Sequence, residues 1–276
     1  MFSRVFISIV SAVLFTTSLS SAQEREKYAE SSAAYAKGRE DFYPEAVMEA
    51  MEPFLNPSDL ILDVACGTGL GTRKLCEQGY KNIVGVDYDS KMIEQAELAN
   101  TEECPIKYVV ADVQESLPFA SNYFDVITTF NAFHQYANNK SMQEISRVLK
   151  SSGTFVIVTK NQIDDPIKRE VQRIMLEKEK HSDKLDTVAF LNQNGFTVIS
   201  QKSLNFEHIY DREKYLDYAL FSSSKWNEFR NTSQGEEIVK KVNHYLDTVA
   251  DSKGQIKEQR EVLIIAAKKQ PGADRP

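Results

Sequence analysis

Residues 60–71 read Leu-Ile-Leu-Asp-Val-Ala-Cys-Gly-Thr-Gly-Leu-Gly, a branched apolar run that breaks into glycines at 67, 69 and 71. Such a run is a buried strand that stops in a tight turn and opens a helix. The glycines remove Cβ atoms where a ligand needs the backbone close. Helix N-termini present free N–H groups and a partial positive charge, so the turn suits an anionic or polar ligand.

The pattern around the turn repeats its logic. Strands are expected at 60–65, 83–86, 106–111, 124–130 and 154–159, with helices at 72–78, 90–99 (Ser90 as N-cap) and 141–149 between them. Ser141-Met142-Gln143-Glu144 has the form of a capping box. Strands separated by helices imply a parallel, doubly wound α/β sheet. An amphipathic helix precedes it at 45–54. The second half is less regular: helices at 166–180, 188–194, 213–221 and 236–250, and strands at 196–201 and 261–267. The 211–254 stretch sits between the last two strands, where an insertion would cover a ligand site. The last strand must rejoin the sheet, so one domain is expected over 28–270.

The 276 residues carry a net charge of −7 with no dense Lys/Arg block, which argues against nucleic acid as a partner but not against a nucleotide-sized ligand. A monomer or weak dimer is expected. Cys66, Cys76 and Cys104 are too few and too scattered for a disulfide framework, so reduced, structural thiols are the expectation, and no cysteine or histidine spacing suggests a metal. The first 22 residues differ: one positive charge in 1–4, an apolar run over 5–17, then Ser20-Ser21-Ala22 before Gln23. They read as a secretory signal peptide or an uncleaved anchor, the only expected membrane contact. Sequons at Asn139 and Asn231 matter only for an exported chain.

Asp87 ends the second strand, 20 positions after Gly67, where an acidic residue accepts hydrogen bonds from both hydroxyls of a ribose. The competing role is helix capping, since Asp89 and Ser90 follow. Two features argue against a nicotinamide enzyme. The glycines are spaced GxGxG rather than GxGxxG, and Asp63 lies inside the first strand. A carboxylate just before the turn repels a pyrophosphate and favours a cation, which fits a ligand bearing a ribose, an ammonium and a sulfonium.

These stretches resemble a known family. Leu62-Asp63-Val64-Ala65-Cys66-Gly67-Thr68-Gly69, Val84-Gly85-Val86-Asp87-Tyr88-Asp89-Ser90-Lys91-Met92-Ile93, Ala111–Phe119 and Asn122–Ile127 are similar to four ordered motifs of class I S-adenosylmethionine (SAM)-dependent methyltransferases. The resemblance covers about 31–159 well, and is nearest to the trans-aconitate and ubiquinone-biosynthesis types. It implies a seven-stranded, mostly parallel Rossmann-like sheet with a helical insertion before the last strand, SAM as cofactor and a small-molecule acceptor. It places Gly67 and Gly69 against the methionine portion, Asp63 facing the amino group, Asp87 on the ribose, and Tyr88 and Met92 beside the adenine. Asp112 would bond the adenine amine, with Val113 packing nearby. Tyr35 and Arg39, in a segment similar to the family's leading helix, would close over the methionine end, Arg39 pairing with its carboxylate.

Asn131-Ala132-Phe133-His134-Gln135-Tyr136 follows the fourth strand at the edge facing the transferred methyl. Asn131 falls on the cofactor side. His134 is the candidate base or substrate contact, since histidine accepts a proton near neutral pH. Tyr215, Tyr218, Phe221 and Trp226 are either an aromatic acceptor wall or core. A nicotinamide oxidoreductase and a SAM-binding protein without turnover are the rival readings. SAM is held inside cells, so a cleaved leader and SAM dependence pull localisation in opposite directions. N-terminal sequencing of the native protein is expected to find Gln23 first if the leader is cleaved, and Met1 if it is not.

Overall fold

A computed structural model describes residues 43–161, 165–175, 185–222, 226–229 and 231–270. Helix α1 (Glu45–Met51) runs into a 3-10 turn, Glu52–Phe54. Then come β1 (Ile61–Val64), α2 (Leu70–Glu77), β2 (Ile83–Asp87), α3 (Ser90–Leu98), β3 (Lys107–Val110) and β4 (Phe124–Phe130). A short α4 (Phe133–Tyr136) and α5 (Asn139–Val148) lead to β5 (Leu149–Asn161). The remainder is α6 (Pro166–Ile174), α7 (Thr187–Gln193), β6 (Phe196–Asp211), α8 (Arg212–Ser222), α9 (Trp226–Phe229), α10 (Ser233–Val249) and β7 (Gln255–Lys269).

The sheet has seven strands in the order β3-β2-β1-β4-β5-β7-β6. The first five are parallel, and β7 inserts antiparallel between β5 and β6. This is the doubly wound α/β fold that the alternating pattern implies. All four residues of β1 are buried, because strands flank it on both sides and helices cover both faces. Chain order reverses between β1 and β4, and such reversals open a crevice at the carboxyl ends of the strands.

The structure departs from the sequence reading at several elements. β6 does not stop at 201 but continues to Asp211, and β7 starts at Gln255, not 261. The two pair without a break from Ser200↔Ala266 to Asp211↔Gln255. Leu204, Phe206 and Tyr210 alternate with polar residues and join the core, a period-two signal. On β7 the inward positions 258 and 260 are Glu and Arg, each about 1 % exposed, and they disguise the strand. They are tolerated because the Arg260 Nε–Glu258 Oε2 pair spans 2.8 Å and Lys160 Nζ donates to Glu258 Oε1 at 2.8 Å. Tyr215, Tyr218 and Trp226 are buried with Tyr210 in the core beneath α10, at most 8 % exposed. Of the helix expected at 166–180, the described part ends at Ile174. The 1–22 segment, Tyr35 and Arg39 lie outside the described residues. No described helix is long and apolar enough to cross a membrane.

Two caps also differ. Asp89, not Ser90, caps α3 by accepting the Lys91 N–H at 2.9 Å. Asn138 caps α5 in a reciprocal box with Ser141. Glu144, expected to close that box, instead accepts the Leu117 N–H at 2.6 Å and pairs with Arg147.

Cys76 and Cys104 form a disulfide with Cα atoms 5.9 Å apart, which corrects the expectation of three reduced thiols; Cys66 is free and buried. Scattered spacing conceals the pair because α2 and the loop before β3 meet only in the folded chain. Its sequence separation of 28 corresponds to about 3.5 kcal/mol of stabilisation in the loop-entropy account. Thiol titration of the denatured, unreduced protein is expected to find one thiol, and the Cys76→Ser, Cys104→Ser double variant to unfold at a markedly lower denaturant concentration.

Candidate functional site

The turn between β1 and α2 is built from left-handed residues at alternate positions: Ala65 (φ 54°), Gly67 (φ 55°) and Gly69 (φ 74°). Glycine adopts this conformation freely, whereas at Ala65 it costs on the order of 1–2 kcal/mol. Several contacts hold the turn. Asp87 Oδ2 accepts the Gly67 N–H at 2.8 Å, and its Oδ1 accepts the Asp89 N–H at 3.0 Å. Arg73 Nη1 donates to the Thr68 carbonyl at 2.7 Å. The Cys66 N–H bonds the Val86 carbonyl at 2.9 Å, tying the turn to the end of β2.

Asp63 is fully buried behind the turn. Its carboxylate accepts hydrogen bonds from Thr72 Oγ1 at 2.5 Å and Thr128 Oγ1 at 3.0 Å. It thereby joins β1 to α2 and β4, and it does not line the cavity. Burial pushes its carboxyl up to about 7, against the lowering effect of the two threonine hydroxyls. Asp87 is pushed up to about 6, again chiefly by burial, with the Asp89 and Gly67 N–H groups opposing.

The cavity opens at the carboxyl ends of β1, β2 and β4. Of the residues the sequence singles out, Gly67, Asp87, Tyr88, Met92 and Asn131 line it. A Cβ built on Gly67 would meet nothing within 4 Å, so the missing side chain leaves open space in the cavity. Tyr88 is 38 % exposed on the rim, while Met92 is buried and belongs to both the cavity wall and the packing of α3. Asn131 follows β4 directly and is left-handed (φ 54°), a conformation asparagine tolerates; its Oδ1 accepts the Lys160 N–H at 3.2 Å.

Other expected residues stand apart. Gly69 lies at the α2 N-terminus without lining the cavity. Asp112, half-buried, accepts the Gln114 N–H at 2.8 Å, close enough to Asp87 for their charges to interact. Val113 is buried in the core on the α5 side of the sheet. His134 is exposed on α4 and does not line the cavity; the neighbouring Gln135 does. The sequence reading also passed over Phe130, whose ring packs on Tyr43 at 5.1 Å and forms the apolar wall. Its signal is positional, as the last residue of a strand ending at the cavity. Among the described residues no group of three or more His, Cys, Asp or Glu side chains is placed to hold a metal ion.

Residues 62–157 match the model of a methyltransferase domain family. An uncharacterized methyltransferase, YcgJ, of Bacillus subtilis is 33% identical over 111 residues, covering 39% of this chain and 43% of that protein. A chloroplastic uncharacterized methyltransferase of Arabidopsis thaliana, At2g41040, is 35% identical over 108 residues, 36% of this chain and 30% of that protein. The chain spans between about a third and a half of the length of the first curated relatives it matches. The crystal structure of YcgJ superposes over 83% of this chain and 99% of its own with a TM-score of 0.51 at 19% identity. A putative type II methyltransferase from Anaeromyxobacter dehalogenans gives 0.57 over 82% of this chain and 96% of its own at 18% identity, which shows the shared fold. Residues 62–157 thus match a methyltransferase domain and have relatives named as methyltransferases, and the described chain shares its fold with solved methyltransferases. Members of this family use SAM as methyl donor.

The buried aspartates set the pH dependence of stability. An aspartate whose folded pKa exceeds its unfolded value binds its proton more tightly when folded, so its contribution is full below the unfolded value and is lost as pH rises through the folded one. For Asp63 that window runs from 3.8 to about 7. Asp63→Asn is expected to flatten the fall in stability over this range, most visibly as pH approaches 7, where Asp87 is largely ionised; urea titrations across pH measure it.

Proposed function

We propose that this chain transfers a methyl group from SAM to a small-molecule acceptor by in-line displacement. The observation that carries the reading is Asp87, whose carboxylate fastens the glycine turn through Gly67 and at the same time lines the cavity. The residues present suit the donor. The absent Gly67 side chain leaves room for the methionine portion, Asp87 offers acceptor oxygens for ribose hydroxyls, and Tyr88 and Met92 offer faces for the adenine. Asp112 and Val113, which do not line the cavity, keep their proposed role toward the adenine, and Gly69 and Asp63 are proposed to support the turn. Tyr35 and Arg39 lie outside the described residues, and their role at the methionine end is proposed from the resemblance alone.

When bound, the donor supplies an electrophilic methyl on a sulfonium whose positive charge disappears on transfer. Phe130 and Tyr43 supply an apolar, aromatic wall that attracts that cation and excludes water. Asn131 and Gln135 give the cavity amide groups to orient polar partners. Alignment supplies much of the rate in such a reaction, up to roughly 7–11 kcal/mol. His134 stays the proposed acceptor-side contact, from its exposed position on α4. Helices α8 to α10, between β6 and β7, are the proposed cover of the acceptor side.

Calorimetry is expected to show micromolar SAM binding and no comparable NAD(P)H binding; a folded protein that binds no SAM refutes the reading. Asp87→Ala is expected to weaken binding about tenfold or more, through the loss of charged hydrogen bonds. The ionised carboxylate is the better acceptor, so affinity is expected to fall as pH drops through about 6. Formation of S-adenosylhomocysteine with a panel of carboxylate, hydroxyl and amine acceptors separates turnover from binding alone.

A further inference from the structure

The glycine turn rests on an aromatic side chain two strands away. Tyr108, in β3, pairs in register with Gly85 of β2, which in turn pairs with Asp63 of β1. Its ring lies across Gly85, where a Cβ would fall 2.6 Å from the ring carbon Cδ1. The ring continues to the underside of Gly69, where a Cβ would fall 2.9 Å from Tyr108 Cζ and 3.1 Å from Ala96 Cβ. A Cβ within 3.0 Å of the ring would force something to shift, so the ring's place depends on glycine at both positions, and at Gly69 the left-handed backbone (φ 74°) favours glycine independently. Tyr108 is 7 % exposed and spans the space from β3 to the left-handed residue that caps α2.

A covalent link closes the same frame at its other end. Helix α2 starts at the turn and carries Cys76 near its C-terminus; the disulfide joins it to Cys104, four residues before Tyr108. Lys81 Nζ spans the same gap, donating to the Cys76 and Glu103 carbonyls at 3.0 Å each. The path Gly69, α2, disulfide, β3, Tyr108 and back to Gly69 is therefore a closed ring of rigid pieces. Cutting it at the disulfide leaves Lys81 as the remaining tie, so the frame loosens without opening.

Resting on the methyltransferase reading, we propose that Tyr108 is a positioning residue for the SAM site, holding the glycine turn at its binding height, and that the Cys76–Cys104 disulfide keeps that strut in place. A dithiol reductant such as dithiothreitol donates two electrons: the S–S bond breaks, Cys76 and Cys104 become thiols, and the reductant leaves as its cyclic disulfide. SAM affinity then falls while the fold persists.

The test is SAM calorimetry on the full chain at a temperature where near-UV circular dichroism shows every form folded, with the redox state fixed by mass spectrometry. Tyr108→Leu is expected to bind about tenfold more weakly, Tyr108→Phe nearly as well as wild type, and reduced wild type about threefold more weakly. Reduction of Tyr108→Leu is expected to change nothing further. Gly85→Ala, which displaces the ring, is expected to weaken binding, and combining it with Tyr108→Leu to cost less than the sum of the two. A purely structural tyrosine would lower the unfolding temperature and leave SAM affinity in the folded protein unchanged, which overturns the proposal. Equal affinity of oxidised and reduced wild type overturns the role of the disulfide. Should oxidised wild type bind no SAM at all, the methyltransferase reading itself fails. If Tyr108→Leu does not fold, Gly85→Ala and the reduced wild type decide alone.

Discussion

The site depends on a backbone that must turn left-handed at 65, 67 and 69 within seven residues of a fully buried strand. That conformation leaves the turn's N–H groups pointing away from regular secondary structure, and each needs a partner. The Asp87 carboxylate supplies one at Gly67 and the Val86 carbonyl another at Cys66. Since Asp87 ends β2 and Gly67 follows β1, the two strands must be parallel neighbours in their observed register for the bond to form. Cavity, sheet order and helix start all follow from satisfying the same few backbone groups.

The charges beneath the turn are arranged by burial. Asp63 sits behind the cavity wall without lining it, and Thr72 and Thr128 each donate to one of its oxygens. Its work is to tie the first strand to the helix after the turn and to the neighbouring strand. Burial, and after it the charges of Asp87 and Asp63, raises the Cys66 thiol, and the Asp87 charge adds a little to the burial that raises Asp63. A carboxylate in a strand core is therefore compatible with a cationic ligand nearby without touching it.

Much of the cavity was legible in the sequence because its residues lie at strand ends in short, ordered motifs. Gly67, Asp87, Tyr88, Met92 and Asn131 line it where strand-plus-turn logic puts them. Strand β4 has the boundaries that its apolar run suggests, and β1 and β2 differ by a residue or two. The misses share a cause. The inward faces of β6 and β7 carry Glu258 and Arg260, so the hydrophobic alternation breaks although the charges are paired in three dimensions. Cys76 and Cys104 lie on segments that the sequence places apart. Phe130 and Gln135 carry no motif, and their role comes from where β4 and α4 end.

The sequence by itself determined the local chemistry: a strand that must stop at 65, glycines that admit a ligand at 67, and an acid at the end of the next strand. Those are properties of single residues and of spacings within one strand–helix–strand unit, the longest being the 20 positions from Gly67 to Asp87. The tertiary structure decided which groups face the ligand and which face inward. It buried Asp63, laid Tyr108 across Gly85 to the turn, closed the disulfide, and drew β6 and β7 out into a long hairpin. Each of these is a contact between residues far apart in the chain, set by packing, and packing is fixed only once all the strands are in register.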